Sequence, residues 1–205
     1  MSVTTEVLKT PTVSEGLRPY RITVEVYERI VASGAFGDKS SIFLWKGQLV
    51  EKIPELTKGR PHVYAVNRLD KLLGALLPTG YFVEQDQPMA LRDFSVTEPD
   101  LKVVRGAEKD YLRRSPAATE CPLVIEVSDS SSKFDTGEVL REYADGLVSV
   151  YWVVNLNECQ IEVYSEPNPS GVTYNRREVF GTNDSVPLIL DGRGVGRLPV
   201  SEVLP

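Results

Sequence analysis

Apolar residues along this chain recur with two spacings, and the alternation between them sets out the elements. Val24, Tyr27, Ile30 and Val31 lie three and four apart, which predicts a helix capped by Thr23 and stopped by Gly34. Residues 42–45 and 48–53 are apolar-rich runs split by Lys46-Gly47, the pattern of a β-hairpin. From His62 the spacing returns to three and four through Val66, Leu69, Leu73, Leu76 and Leu77, a second helix ended by Pro78 and Gly80. Residues 81–91 alternate loosely and predict one strand with an irregularity at Pro88. A polar loop at 92–98, a short strand at 101–104 and a charged, solvated connection over 105–120 follow.

Leu123, Val124 and Ile125 form a short apolar run that predicts a buried strand ending at Glu126, with a serine-rich cluster at 128–132 behind it. Asp135 can cap a helix containing Val139, Leu140, Tyr143 and Ala144, which Gly146 ends. Strands are expected at 148–154, 159–164, 173–180 and 186–190, with a tail at 195–204 docking on the sheet. Residues 1–20 are rich in Thr, Ser, Pro and Glu and read as a flexible N-terminal arm, leaving 21–205 as one domain. Helices interleaved with strands in this order predict an α/β (or α+β) fold, a central mixed β-sheet flanked by helices.

Composition narrows the setting. The 205 residues are 41% hydrophobic, enough for a core, and no run approaches the roughly 20 apolar residues that span a bilayer. The N-terminus lacks the charged start and apolar middle of a secretory signal. Two cysteines make no disulfide framework, one histidine excludes a His-rich metal site, and a reducing cytoplasm is the expected location. The net charge of −6 argues against tight, sequence-independent coating of DNA, although a local basic groove or a bound metal can still set the field at a site.

The chemistry concentrates at two acids. Glu126 ends a core strand, where a carboxylate is costly to desolvate unless something charged lies beside it. Asp100, within Glu98-Pro99-Asp100, heads the strand Leu101-Lys-Val-Val104. Brought together on adjacent strands, the two make a seat for a hard divalent cation such as Mg²⁺. The alternative is that both are ordinary strand-end acids facing solvent.

The blocks Glu98-Pro-Asp-Leu-Lys-Val-Val, Leu-Val-Ile-Glu126-Val, Asp135 to Tyr143 and Tyr151-Trp-Val-Val resemble the Uma2 family, assigned to the PD-(D/E)xK nuclease superfamily. The Pro-His62 helix start and the Gly47 hairpin are similar to that family's N-terminal half, so the resemblance runs from about residue 18 onward. It implies a restriction-endonuclease-like core and an Mg²⁺- (or Mn²⁺-) dependent endonuclease acting on duplex DNA. It makes Asp100 and Glu126 metal ligands, with the backbone carbonyl of Val127 as a further oxygen ligand. Such folds often work as homodimers on duplex DNA, although no segment here marks an interface.

The chain departs from the family at the position of its basic residue. Ser128 stands where the superfamily strand motif has lysine, and Val139 where this family carries lysine on the following helix. Phe43 stands where the first hairpin strand often has glutamate. An active enzyme would then recruit Lys133, in the loop before the helix, or Lys102, which shares the strand face of Asp100. Arg141 points about 200° away from Val139 on a helix and is a poor substitute. The competing reading is a catalytically silent nuclease fold serving as a binding or assembly module; a small-molecule hydrolase using the same metal is a third. Among single residues, His62 reads as a cap or packing residue before a proton shuttle, Tyr143 as core or site wall, and Glu51 as a solvent-facing strand residue. Tyr151 and Trp152 read as core, and Cys121 lacks a histidine partner in sequence.

Overall fold

Thr23 caps the first helix as its sequence predicts: its hydroxyl accepts the amide of Val26 at 3.4 Å and opens α1 (Val24–Ala32). Tyr27 is buried on α1, whereas Val31, expected on the same face, is exposed. The computed structural model describes residues 17–37, 42–51, 59–129 and 135–205. The N-terminal arm up to residue 16, the end of the second hairpin strand, Lys133 and most of the serine-rich turn lie outside these residues.

The hairpin consists of β1 (Ile42–Trp45) and β2 (Gln48–Glu51). Its turn residues Lys46 and Gly47 both have positive φ, 52° and 83°, as a two-residue turn matched to strand twist requires. A side chain at Gly47 would meet Arg21 Cβ at 2.9 Å, so the turn also depends on the close approach that glycine allows. α2 (Arg60–Leu76) carries Pro61 in its first turn and buries His62, Ala65, Val66, Leu69 and Leu73, the face that its spacing predicts.

Residues 81–91 are two strands rather than one. β3 (Tyr81–Gln85) stops where Asp86 turns with φ 51°, and β4 (Met89–Leu91) pairs in a separate ribbon with β5 (Ser95–Thr97). β5 lies within the stretch expected as loop; three polar-flanked residues give no readable alternation. β6 (Leu101–Arg105), two 3-10 turns (Glu108–Tyr111 and Ala118–Glu120) and β7 (Leu123–Ser128) follow. The helix after β7 opens as a π turn (Asp135–Val139) and becomes α3 (Leu140–Asp145). β8 (Val150–Asn155), β9 (Gln160–Asn168), β10 (Thr173–Gly181) and β11 (Ser185–Leu190) complete the expected strands. The expected tail is a strand, β12 (Arg193–Pro199), and a short helix, α4 (Val200–Val203). Its glycines at 194 and 196 break the apolar pattern, so only pairing with β11 defines it.

The central sheet is mixed, with order β10-β9-β8-β7-β6-β3. β7 and β8 run parallel while the other neighbours in this sheet run antiparallel. A parallel pair needs a crossover, which the chain through α3 supplies. Alternation along β7 then splits the core. Leu123, Ile125 and Val127 pack with α2, β11, β12 and α4 on one face. Val124 lies on the other with Val139, Leu140, Tyr143, Tyr151, Tyr164 and Tyr174. Glu126 falls on the α3 face, in the same register as Val124.

Candidate functional site

The β6–β7 ladder pairs Val103 with Leu123, Lys102 with Val124 and Leu101 with Ile125, so the next opposed positions, at its open end, are Asp100 and Glu126. Ladder bonding stops there and the buried amides need other acceptors. The two carboxylates supply them. Asp100 N–H donates to Glu126 Oε2 at 3.2 Å, and Val127 N–H donates to Asp100 Oδ2 at 2.7 Å. An extended residue directs its N–H and C=O to the same edge of the strand, so the Val127 carbonyl also faces the β6 side. The Ser128 carbonyl faces the opposite edge, where it accepts Leu156 N–H at 3.0 Å.

Each acid is also met by a helix. From α2, His62 Nε2 lies 3.0 Å from Asp100 Oδ2, and both side chains are buried. Against an ionised carboxylate, which only accepts, Nε2 is the donor, and the other ring nitrogen of His62 is Nδ1. That Nδ1 is buried without a hydrogen-bond partner among the described residues, as is Ser128 Oγ on the strand face of Glu126. From α3, the Tyr143 hydroxyl donates to Glu126 Oε1 at 2.7 Å. Burial, and then the Glu126 charge, push the Tyr143 phenol well above its ordinary value.

Lys102, two residues after Asp100 on β6, is fully buried. Its Nζ lies 2.8 Å from Glu84 Oε2, directly opposite in the β3–β6 register, and donates to the Gln87 carbonyl at 2.7 Å. Burial pulls the ammonium below its ordinary value, against the pull of Glu84. Lys133 lies outside the described residues. Val139 is buried in the apolar cluster around Tyr143, Arg141 is exposed, and Glu51 is exposed at the end of β2. Glu138 pairs with Lys46 of the hairpin turn at 3.6 Å. Burial pushes the Cys121 thiol up to about 12, the reverse of what a thiolate nucleophile requires.

Three contacts escape sequence reasoning. Glu84 as the partner of Lys102 depends on strand register, and the Asp100 contact of His62 joins residues 38 apart. The Tyr143 hydroxyl has one signal in sequence: it stands four residues after Val139, on the same helical face where a polar partner was expected.

Among the described residues no three His, Cys, Asp or Glu side chains gather as a metal cluster. What Asp100, Glu126 and Val127 bring to one strand end is a set of hard oxygens. That set suits Mg²⁺, which takes one or two carboxylates and keeps several waters, and the unpartnered Ser128 hydroxyl adds polarity on the same strand face. A cleft of about 650 Å³, lined in part by Tyr27, Glu84, Tyr111 and Arg113, reaches Glu98, two residues before Asp100. No helix among the described residues is long and apolar enough to cross a membrane.

Comparison with known proteins agrees with this architecture. The family model described as "Uma2: Putative restriction endonuclease" matches residues 24–200. Among solved structures, the chain is similar to one described as a "putative nuclease belonging to DUF820" from Anabaena variabilis. The TM-score is 0.63 at 13% identity, covering 89% of this chain and 97% of that one. At that identity the likeness is one of fold. No curated protein matches the chain.

Proposed function

The chain belongs to the Uma2 family, and on that premise we propose that it is a metal-dependent endonuclease that hydrolyses phosphodiester bonds in duplex DNA. The observation that carries the reading is the opposition of Asp100 and Glu126 at the open end of the β6–β7 ladder, each buried or half-buried and each tied to the other strand. In this reading Asp100, Glu126 and the Val127 carbonyl hold Mg²⁺ or Mn²⁺. What such a cation supplies is charge neutralisation at the scissile phosphate and a bound water of lowered pKa. His62 holds the Asp100 carboxylate in place. Lys102 has its contacts committed to Glu84 and Gln87, so its contribution is a positive charge on the strand that Asp100 heads rather than a proton in flight. Lys133 is the other basic candidate.

One observation favours a second reading, a nuclease fold that binds without cutting: Val139, where the family carries lysine, is packed into an apolar cluster. Plasmid cleavage separates the two. The endonuclease reading expects nicking with Mg²⁺ or Mn²⁺, none with chelator, and none from Glu126→Ala. Equal cleavage by wild type and Glu126→Ala identifies a contaminant and overturns the reading. DNA binding without metal-dependent cleavage supports the second.

A further inference from the structure

Glu126 is held by a neutral donor from the helix on which the family's basic residue is missing. The Tyr143 hydroxyl reaches Oε1 at 2.7 Å while the Asp100 amide takes Oε2 at 3.2 Å, so both oxygens are engaged from different elements and the carboxylate plane is set. A carboxylate has about four lone-pair sites, so each oxygen can accept one such bond and still face a cation.

The donor itself is rigid. Tyr143 is 1% exposed, and its ring meets Tyr151 edge-on with centroids 4.9 Å apart. Tyr151 in turn lies 5.9 Å from the Tyr164 ring and 6.4 Å from that of Tyr174. The hydroxyls at the far side of this group are satisfied elsewhere: Tyr164 donates to Glu162 and Tyr174 to the Val148 carbonyl. The four rings form a packed block on the α3 face of the sheet, and one of its hydroxyls is aimed at Glu126. One turn before Tyr143, Val139 packs in the same cluster and offers no hydrogen bond.

We propose that Tyr143 is the positioning residue of the Glu126 carboxylate, fixing it for a divalent cation from the helix whose basic residue this chain has replaced by Val139. The proposal rests on the metal reading of the site given above. A rigid donor of this kind acts before any metal arrives: it removes the rotamer freedom that Glu126 would otherwise lose on binding. It touches neither substrate nor cation, and its effect is on affinity for the ion. Loss of such an outer partner costs about 10–100-fold in metal affinity.

The test is Mn²⁺ titration by calorimetry on the full chain, with thermal unfolding followed in parallel. Tyr143→Phe keeps the ring and its packing and is expected to bind Mn²⁺ about 10–100-fold more weakly than wild type while still unfolding cooperatively. Tyr174→Phe removes a hydroxyl from the same aromatic block and is expected to bind as wild type does. Equal binding by Tyr143→Phe and wild type overturns the proposal, as does an equal loss in Tyr174→Phe, which would make the effect general loosening. Glu126→Gln separates the layers. If it leaves binding intact, the metal reading falls and this proposal with it; if it abolishes binding that Tyr143→Phe leaves unchanged, only the positioning role falls. The wild-type chain carries an independent readout that does not depend on any Tyr143 variant folding. Mn²⁺ should produce a tyrosine ultraviolet difference signal that Glu126→Gln lacks, and its absence from wild type counts against the contact.

Discussion

The backbone amide of Asp100 donates to the Glu126 carboxylate at 3.2 Å, so the two acids are joined by the chain's own groups. The return contact, Val127 N–H to Asp100 Oδ2 at 2.7 Å, makes Asp100 a structural residue as well as a candidate ligand. Asp100→Ala leaves the Val127 amide and His62 Nε2–H without their acceptor in a buried place and is expected to cost about 1–3 kcal/mol in urea unfolding. Asp100→Asn keeps an acceptor and should cost less. If the alanine variant is as stable as wild type, the clasp does not exist in solution.

Lys102 and Glu84 form a pair whose lysine end is fully buried. Removing one member strands the other, so Lys102→Met is expected to lower stability by about 3 kcal/mol, at the lower end for buried pairs because Glu84 keeps 20% of its side-chain exposure. Combining Lys102→Met with Glu84→Gln should recover most of that loss, and a double-mutant cycle measures the coupling. Additive effects would contradict the pairing.

Val139→Lys places a charge at a site that is 7% exposed, one turn before the residue that contacts Glu126. The expected outcome is a lower melting temperature together with faster Mg²⁺-dependent cleavage than wild type. A loss of stability with no gain in cleavage would show that a lysine at position 139 does not promote the reaction.

The two cysteines should separate cleanly. Cys159 is exposed and Cys121 buried, so thiol labelling of the native chain should show one fast and one protected sulfur. Burial raises the Cys121 thiol from 9.0 to about 12, so between those values the folded chain keeps a proton that the unfolded chain has released. Stability from this group is therefore complete below about pH 9 and is lost as pH rises towards 12. The lowered Lys102 works in the opposite sense, since the folded chain gives up that proton first and gains stability as pH rises towards 10.5. Comparing wild type with Cys121→Ala isolates the thiol: the variant should lose less stability across this range.

The sequence makes the site's frame readable where local pattern and geometry coincide. Leu123 to Ile125 read as a buried strand and the spacing from Val66 to Leu73 as one buried face of a helix, and β7 and α2 bear both readings out. The opposition of Asp100 and Glu126 needs the β6–β7 register as well as the adjacency of the two strands. What local pattern does not carry is register and long-range contact. The turn at Asp86 that ends β3 carries no periodic signature, and the three-residue β5 and the glycine-broken β12 are defined only by pairing with the strands just before them, β4 and β11. The same holds for side chains. The pairing of Lys102 with Glu84, the reach of His62 to Asp100 and the aim of the Tyr143 hydroxyl depend on how layers stack, which periodicity leaves open.

Whether Asp100 and Glu126 seat a divalent cation is best decided by anomalous diffraction from crystals grown with Mn²⁺. The predicted result is one anomalous peak within coordination distance of both carboxylates and of the Val127 carbonyl, absent from Glu126→Gln. No peak at these oxygens in wild type at saturating Mn²⁺, or an undiminished peak in Glu126→Gln, would contradict the metal site.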